Sequence, residues 1–343
     1  MIAILGDLHF GARSNSKQFD NYFKESFEKQ FFSVIDKNNI STLICLGDIF
    51  DVRKNVNFEI LESCKRYFFD ELLKRGIKTY IIVGNHDSYF KDTVKVNSPS
   101  LLLKEYENIV IVDEPGEYFI DKTKFLLMPW ICDDNLEESM RLLQKSDAKY
   151  CAGHFEIAGF QMYKGIDSHG GLEPIIFNRF KKVFSGHYHT SSKKGNIFYT
   201  GVFCEMTWSD YNDPKGFHLF DTETGKTEFI LNSNNMFFKY NYSEDDTETD
   251  FSWTKDKIVR IETNDIKDKS KFDKFIQSIQ KENPSDLKIS NIEVTEKADT
   301  TELIATDDTR TILSEYIDSI ETELDKDLLK SMLNAAYVKA IQL

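Results

Sequence analysis

Over its first 230 positions the chain alternates short apolar runs with longer stretches whose apolar residues return every three or four positions. Ile2–Leu5 is a run suited to a strand buried on both faces. Between positions 18 and 38, Phe19, Tyr22, Phe23, Phe27, Phe31, Val34 and Ile35 fall at helical spacing, and 57–75 is helical again. Positions 42–46 and 77–83 are strand-like, the second rich in β-branched residues. This β-α-β-α-β order predicts a parallel sheet covered by helices. Further apolar runs at 109–112, 118–128, 148–153, 182–185, 197–202 and 216–221 have short connections among several of them. They predict a second, more antiparallel sheet. The expected core is α/β: two sheets packed as a β-sandwich and flanked by helices, spanning 1–230.

The pattern changes after position 230. The acidic, polar run 243–250 marks 231–256 as a linker. A strand at 257–262, a helix at 271–281 and a strand at 287–294 predict a small α/β capping domain over 257–296. A second linker is expected at 296–306. Residues 307–343 predict two amphipathic helices, the second carrying Leu328, Leu329, Met332 and Tyr337 on its apolar face. So short a pair buries little core by itself, so it is expected to pack on its own domain or on a partner.

Composition narrows the classes. Hydrophobic residues make up 41% and charged residues 29% of the 343, which excludes global disorder. Net charge is −14 and uneven: 28 Lys+Arg against 33 Asp+Glu in residues 1–230, and 15 against 24 in 231–343. That excludes a generic polyanion binder; a nucleic acid partner would need a local basic surface, bound cations or another subunit. No run approaches 18 uncharged apolar residues, so no transmembrane helix is expected. The first seven residues lack the basic region of a signal peptide. Five widely spaced cysteines, Cys45, Cys64, Cys132, Cys151 and Cys204, read as free thiols in a reducing cytoplasm.

The candidate chemistry lies in five glycine-led segments, each following a predicted strand: Gly6-Asp7-Leu8-His9, Gly47-Asp48-Ile49-Phe50-Asp51, Gly84-Asn85-His86-Asp87, Gly153-His154-Phe155-Glu156 and Gly186-His187-Tyr188-His189. Ligand sites in open α/β folds gather beyond the carboxyl ends of strands, so the five can converge on one crevice. Five of the seven histidines fall in these segments. Imidazole, carboxylate and amide oxygen together suit Mn²⁺, Fe²⁺ or Zn²⁺, and the absence of thiolate disfavours a structural zinc site. The ligands exceed the needs of one ion. Two ions sharing a carboxylate, roughly 3.5–4 Å apart, would use them.

The ordered set D-x-H, G-D, G-N-H-D, G-H and G-H-x-H resembles the calcineurin-like metallophosphoesterase superfamily over roughly residues 1–220. Within it the whole chain is similar to the SbcD-type recombination and repair nucleases, in particular those of T-even phages. Supporting stretches are Gly47–Lys54, Met128-Pro129-Trp130, Tyr163-Lys164-Gly165, Ser168-His169-Gly170 and Asn212-Asp213-Pro214-Lys215-Gly216-Phe217. The resemblance implies a first metal on Asp7, His9 and His189, a second on Asn85, His154 and His187, and Asp48 bridging them. His86 would be the non-ligand histidine at the scissile phosphate, with Asp87 orienting it or supporting its loop. The ions implied are two divalent metals, Mn²⁺ with Mg²⁺ as the alternative. The implied function is a two-metal DNA endo/exonuclease acting on DNA ends in phage recombination and double-strand break repair, in the cytoplasm of the infected host. The implied partners are DNA, an SbcC-like coiled-coil ATPase docked by the terminal helices, and a second copy of the chain. Several relatives carry histidine where this chain has Asp51, which either caps the following segment or alters exonuclease action.

Arg13, Lys17, Arg53, Lys54, Lys91 and Lys95 lie in or near loops after the motif strands, where they could hold DNA phosphates or be ordinary surface charges. The segment 155–174 is read as a substrate-facing flap whose aromatics stack on bases, or as core. The rival functions are a phosphomonoesterase or cyclic-nucleotide phosphodiesterase on the same metals, and a non-catalytic subunit that clamps DNA.

Overall fold

The computed structural model describes residues 1–163, 166–168, 170–245, 248–264 and 266–291. Its strands, in chain order, are β1 (Ile2–Leu5), β2 (Thr42–Cys45), β3 (Lys78–Ile82), β4 (Ile109–Val112), β5 (Gly116–Ile120), β6 (Thr123–Met128), β7 (Tyr150–His154), β8 (Gln161–Tyr163), β9 (Ile166–Asp167), β10 (Lys182–Gly186), β11 (Ser192–Lys194), β12 (Ile197–Tyr199), β13 (Gly216–Phe220), β14 (Thr227–Leu231), β15 (Phe237–Asn241), β16 (Ile258–Thr263) and β17 (Asp286–Asn291).

Two six-stranded sheets form the larger of two compact units, residues 1–238, 252–258 and 282–286. The first sheet has the order β14-β13-β1-β2-β3-β4, with β1 to β4 parallel and β13 and β14 antiparallel. The second has the order β11-β12-β10-β7-β6-β5. Its four inner strands are parallel and its two edges antiparallel.

The second sheet is therefore as mixed as the first, not more antiparallel, and the runs at 109–112 and 216–221 belong to the first sheet. The reason is the amphipathic helix Leu136–Lys145, which the run pattern did not reveal. As a crossover it returns the chain so that β7 lies parallel to β6. A helix bridging β3 and β4 (Ser98–Leu102) lies within a crossover of the same kind. The run at 118–128 is a hairpin, β5 and β6, turning at Asp121 and Lys122 with φ of 46° and 61°. Two consecutive left-handed residues match the right-handed twist of the flanking strands.

Strand alternation divides the core into layers. Ile2 and Ile4 of β1 face the second sheet, packing with Ile44, Ile82, Phe125, Leu127, Tyr150, Phe184 and Phe220. Ala3 and Leu5 face the other way, onto the helices. One helix runs Lys17–Ser26, through a π-helical turn Phe27–Phe31, into Phe32–Lys37. A second runs Phe58–Cys64, through the π-turn Lys65–Phe69, into Asp70–Lys74. Each extra residue of a π-turn rotates the apolar face. The rotation lets Phe27 and Phe31 meet Phe68, at centroid distances of 4.7 and 6.0 Å. Phe10 fills the same cluster, within 5.6–6.5 Å of Phe27, Phe50, Tyr67, Phe68 and Phe69. Phe10 follows His9 and Phe50 closely follows Asp48, so this aromatic floor anchors two of the motif loops.

The smaller unit takes residues 239–251, 259–281 and, among the described residues, 287–291. It contains the sheet β15-β16-β17 and the helix Lys269–Lys281. Tyr240, Tyr242, Phe251, Phe272 and Phe275 form its aromatic core. The chain passes between the units several times, and the segment read as a linker, 231–256, contains β15. The second linker and the terminal helices, with Leu328, Leu329, Met332 and Tyr337, lie outside the described residues. So do Lys164, Gly165 and His169. No described helix is long and apolar enough to cross a membrane.

Candidate metal centre

The five motif segments sit at the carboxyl ends of β1, β2, β3, β7 and β10, and they meet. Asp7 and His9 leave β1, Asp48 leaves β2, Asn85 to Asp87 leave β3, His154 ends β7, and His187 and His189 leave β10. Two clusters result, each with ligand atoms within 4.8 Å of one another: Asp7, His9 and His189, and Asp48, His154 and His187.

Close approach of the loops explains two of the glycines. A Cβ on Gly84 would lie 2.2 Å from Asp48 Oδ1, and one on Gly47 would lie 2.5 Å from His154 Nδ1. Gly47 also has φ of 110°, a conformation that other residues rarely adopt. Three of the candidate ligands are themselves left-handed: His9 at 46°, Asp48 at 48° and His187 at 88°. Such backbone costs on the order of 1–3 kcal/mol per residue and persists where the surroundings enforce it. The bond from the Leu8 and His9 amides to the Asp48 carbonyl, at 3.0 and 2.9 Å, is part of that enforcement.

In the first cluster, His9 Nε2 lies 3.1 Å from His189 Nε2, 3.9 Å from Asp48 Oδ2 and 4.0 Å from Asp7 Oδ2. The other nitrogen, Nδ1, lies 3.2 Å from Asp51 Oδ1, an ion-pair distance without hydrogen-bond alignment. In the second cluster, His154 Nδ1 donates to the Leu46 carbonyl at 2.8 Å. The lone pair of Nε2 then faces Asn85 Oδ1 at 2.8 Å and Asp48 Oδ2 at 3.3 Å. His187 Nδ1 approaches the same Asn85 oxygen at 3.1 Å. Asp48 reaches both clusters. Its other oxygen, Oδ1, accepts the His86 amide at 2.8 Å.

This arrangement fits divalent cations. Nitrogen and oxygen donor atoms converge at separations of 2.8 to 4.0 Å, close to the edge of roughly 3 to 3.5 Å expected of ligands about 2.1 Å from a shared ion. The electrostatics agree. Burial opposes charge on His154, but Asp48 and Asp7 outweigh it and raise the imidazole to about 9. Burial likewise opposes a raised His9, yet Asp51, Asp48 and Asp7 raise it. Burial, countered in part by His154 and reinforced by Asp48, pushes Asp7 up to about 6. Asp48 is held well below the usual carboxylate range: burial opposes this, and the imidazoles around it, His154 first, prevail. Burial, then neighbouring imidazoles, hold His187 and His189 down at about 3, neutral and ready to ligate. The buried carboxylates draw protons onto His154 and His9, a demand for positive charge that metal cations would meet.

The remaining sequence candidates fall as follows. His86 is half-buried, its ring 5.0 Å from that of His9, and takes no place in either ligand cluster. Asp87 is 1% exposed and accepts from the Gly84, Ile49 and Phe50 amides at 2.9, 2.9 and 3.4 Å. It ties the loop after β3 to the loop after β2 and does not bond the His86 ring. Burial, then the Asp48 charge, push it to about 7 against those donors. Asp51 does not cap the next helix; Asn57 does, accepting from Glu59 and Ile60. Of the basic candidates, Lys17 pairs with Glu59 at 3.0 Å and Lys95 with Asp134 at 2.8 Å. Arg13 is exposed near Phe19, Arg53 half-buried, Lys54 exposed 5.7 Å from the Tyr89 ring, and Lys91 exposed. Phe160 is core, 4.8 Å from Tyr199, rather than a flap residue.

Met128-Pro129-Trp130 and the stretch holding Lys215 stood out in the sequence, but with no role for either residue. The Trp130 ring stands 5.1 Å from His187 and 5.9 Å from His154, two positions past the end of β6. Lys215 lies buried behind His189, and the contact of Asp51 with His9 was not foreseen.

A family model described as "Calcineurin-like phosphoesterase" matches residues 1–191, from before Asp7 to just past His189. The chain belongs to this family. It is a metal-dependent phosphoesterase, with its candidate ligands in the matched segment. The phosphoesterase is 35% identical over 344 residues to "Exonuclease subunit 1" of Enterobacteria phage T4, with 98% of each chain covered. It is 26% identical over 208 residues to "Putative phosphoesterase 078R" of Invertebrate iridescent virus 3, covering 58% of this chain and 56% of that one.

Proposed function

We propose that this phosphoesterase is a two-metal DNA nuclease, the nuclease subunit of an SbcC/SbcD-like complex that processes DNA ends in phage recombination and double-strand break repair. The observation that carries the reading is a pair of candidate clusters, Asp7, His9 and His189 beside Asp48, His154 and His187, with Asp48 Oδ2 3.9 Å from His9 Nε2 and 3.3 Å from His154 Nε2. The near full-length similarity to a phage exonuclease subunit supports DNA as the substrate. In this reading Asp7, His9 and His189 hold one ion, Asn85, His154 and His187 the other, and Asp48 both. Mn²⁺ suits this mixed imidazole and oxygen set, with Mg²⁺ the alternative. Two bound cations would supply Lewis acidity at the phosphate and lower the pKa of water.

The chain's own residues then do three things. The motif loops would hold the two ions beside the phosphodiester. His86 gives a proton to the leaving oxygen or stabilises charge developing there. Arg53, Lys54, Lys91 and Arg13 hold flanking phosphates where the net charge of −14 would otherwise repel DNA. The subunit acts in the infected host's cytoplasm with an SbcC-like ATPase, which the terminal helices bind. A homodimer forms through helices of the first 80 residues, the segment 57–75 among them, where Phe58 is 84% exposed.

The test uses metal-stripped protein with Mn²⁺ or Mg²⁺ on single-stranded circular DNA, linear duplex DNA and a simple phosphate monoester. Metal-dependent DNA cleavage is expected. Monoester turnover without DNA cleavage would replace this reading with a phosphatase.

A further inference from the structure

Lys215 is 3% exposed, yet it carries a full charge between two acids. Its ammonium lies 2.8 Å from Asp210 Oδ1 and 2.7 Å from Asp213 Oδ2, and donates to the His189 carbonyl at 3.1 Å. These three partners use its three N–H groups. The carbonyl of His189 also accepts the Val202 amide at 3.1 Å. Asp210, in turn, accepts the Met206 and Thr207 amides at 2.8 and 2.9 Å, so the network is braced on the neighbouring turn. A buried ion pair is an expensive way to fill space, because apolar residues of similar volume do so at less cost. What the lysine adds here is a directed bond to the main chain of a metal ligand.

We propose that Lys215 is a positioning residue for the first metal: by holding the His189 carbonyl it sets the imidazole in the place where Nε2 meets His9 Nε2 at 3.1 Å. The inference rests on the ligand assignment proposed above. His189 is the last of the motif ligands and leaves a loop, so its backbone lacks the strand pairing that fixes His154 in β7. The bond from Lys215 substitutes for that pairing.

The experiment is a Mn²⁺ titration of the metal-stripped full chain, read as ions bound and their dissociation constants, for wild type, Lys215→Met, Lys215→Arg and His189→Ala. The thermal midpoint of each metal-free protein is measured alongside. Lys215→Met is expected to weaken one of two ions by about 10- to 100-fold, the usual loss when a partner of a ligand is removed. The affected ion should be the one that His189→Ala loses, the other staying at wild-type affinity. Lys215→Arg, which keeps charge and donors, should recover part of the loss. Wild-type affinity for both ions in Lys215→Met, with His189→Ala losing one, would overturn the positioning role. Two ions bound normally by His189→Ala would instead overturn the ligand assignment. Should Lys215→Met fail to fold, Asp213→Ala, which removes one anchor of the ammonium, takes its place. A selective weakening of the same ion supports the role, and unchanged affinity overturns it.

Discussion

His86 Nδ1 lies 2.6 Å from the backbone carbonyl of Asp51. The carbonyl only accepts, so Nδ1 carries the hydrogen and Nε2 is the nitrogen left for proton exchange. The same residue faces His9 with its side chain. One position thus contacts a candidate metal ligand through its carboxylate and the candidate acid through its main chain. The two roles separate by mutation. Asp51→Asn should leave the His86 tautomer intact and weaken metal binding by up to about tenfold, since it removes one charge beside His9. His86→Ala should keep both ions and lose roughly 10²- to 10⁴-fold in turnover, the usual contribution of a general acid. Mn²⁺ stoichiometry and single-turnover cleavage, measured on both variants, check the pair. Full turnover in a metal-loaded His86→Ala would remove that residue from the chemistry.

Gly84→Ala gives a prediction with a steric cause. The added methyl would sit 2.2 Å from Asp48 Oδ1 and 2.4 Å from the Asp48 amide nitrogen, so the shared ligand or its loop must move. Overpacking of this kind costs on the order of 1–3 kcal/mol. With Asp48 as the proposed shared ligand, both ions should weaken together. Circular dichroism melts and Mn²⁺ titration would show a folded but metal-poor protein; normal binding of both ions would contradict the account.

The acid–base behaviour of the metal-free protein has a definite sign. His154 is raised from its ordinary 6.5 to about 9, so it stabilises the fold fully below about pH 6.5 and loses that contribution as pH rises through 9. Asp7, raised from 3.8 to about 6, disfavours folding increasingly as pH climbs from about 4 past 6. Cations bind the deprotonated forms, so metal affinity should rise with pH between about 6 and 9, with proton release. The thermal midpoint gained from Mn²⁺ should be larger at pH 8.5 than at pH 6.5. Calorimetric titration in buffers of different ionisation enthalpy should show the released protons, and heat independent of buffer would contradict the assignment.

Much of the site was legible before any coordinates because its residues are local and punctuated. Asp7 and His9, Asn85 and His86, and His187 and His189 each follow a strand and a glycine, which is a short-range pattern. What could not be read depends on contacts distant in the chain. Lys215 meets a carbonyl 26 positions earlier, and Asp51 meets His9 across two loops. Left-handed backbone at three non-glycine ligands is likewise enforced by packing. In the fold, the β1 to β3 alternation was legible from strand and helix periods. The direction of β7 was not, because it turns on the crossover helix Leu136–Lys145, which buries Ser139 and Leu143 and lays Met140 and Leu142 partly against the core.

In the proposed function, DNA cleavage requires two ions held by these loops. The most direct measurement is DNA cleavage by metal-stripped protein given Mn²⁺ in measured equivalents, with bound metal counted in the same samples. Two ions per chain are expected, with negligible cleavage of linear DNA at the first equivalent and full activity only as the second binds. Cleavage that saturates at one ion, or none with two ions bound and the ATPase partner present, would contradict this reading.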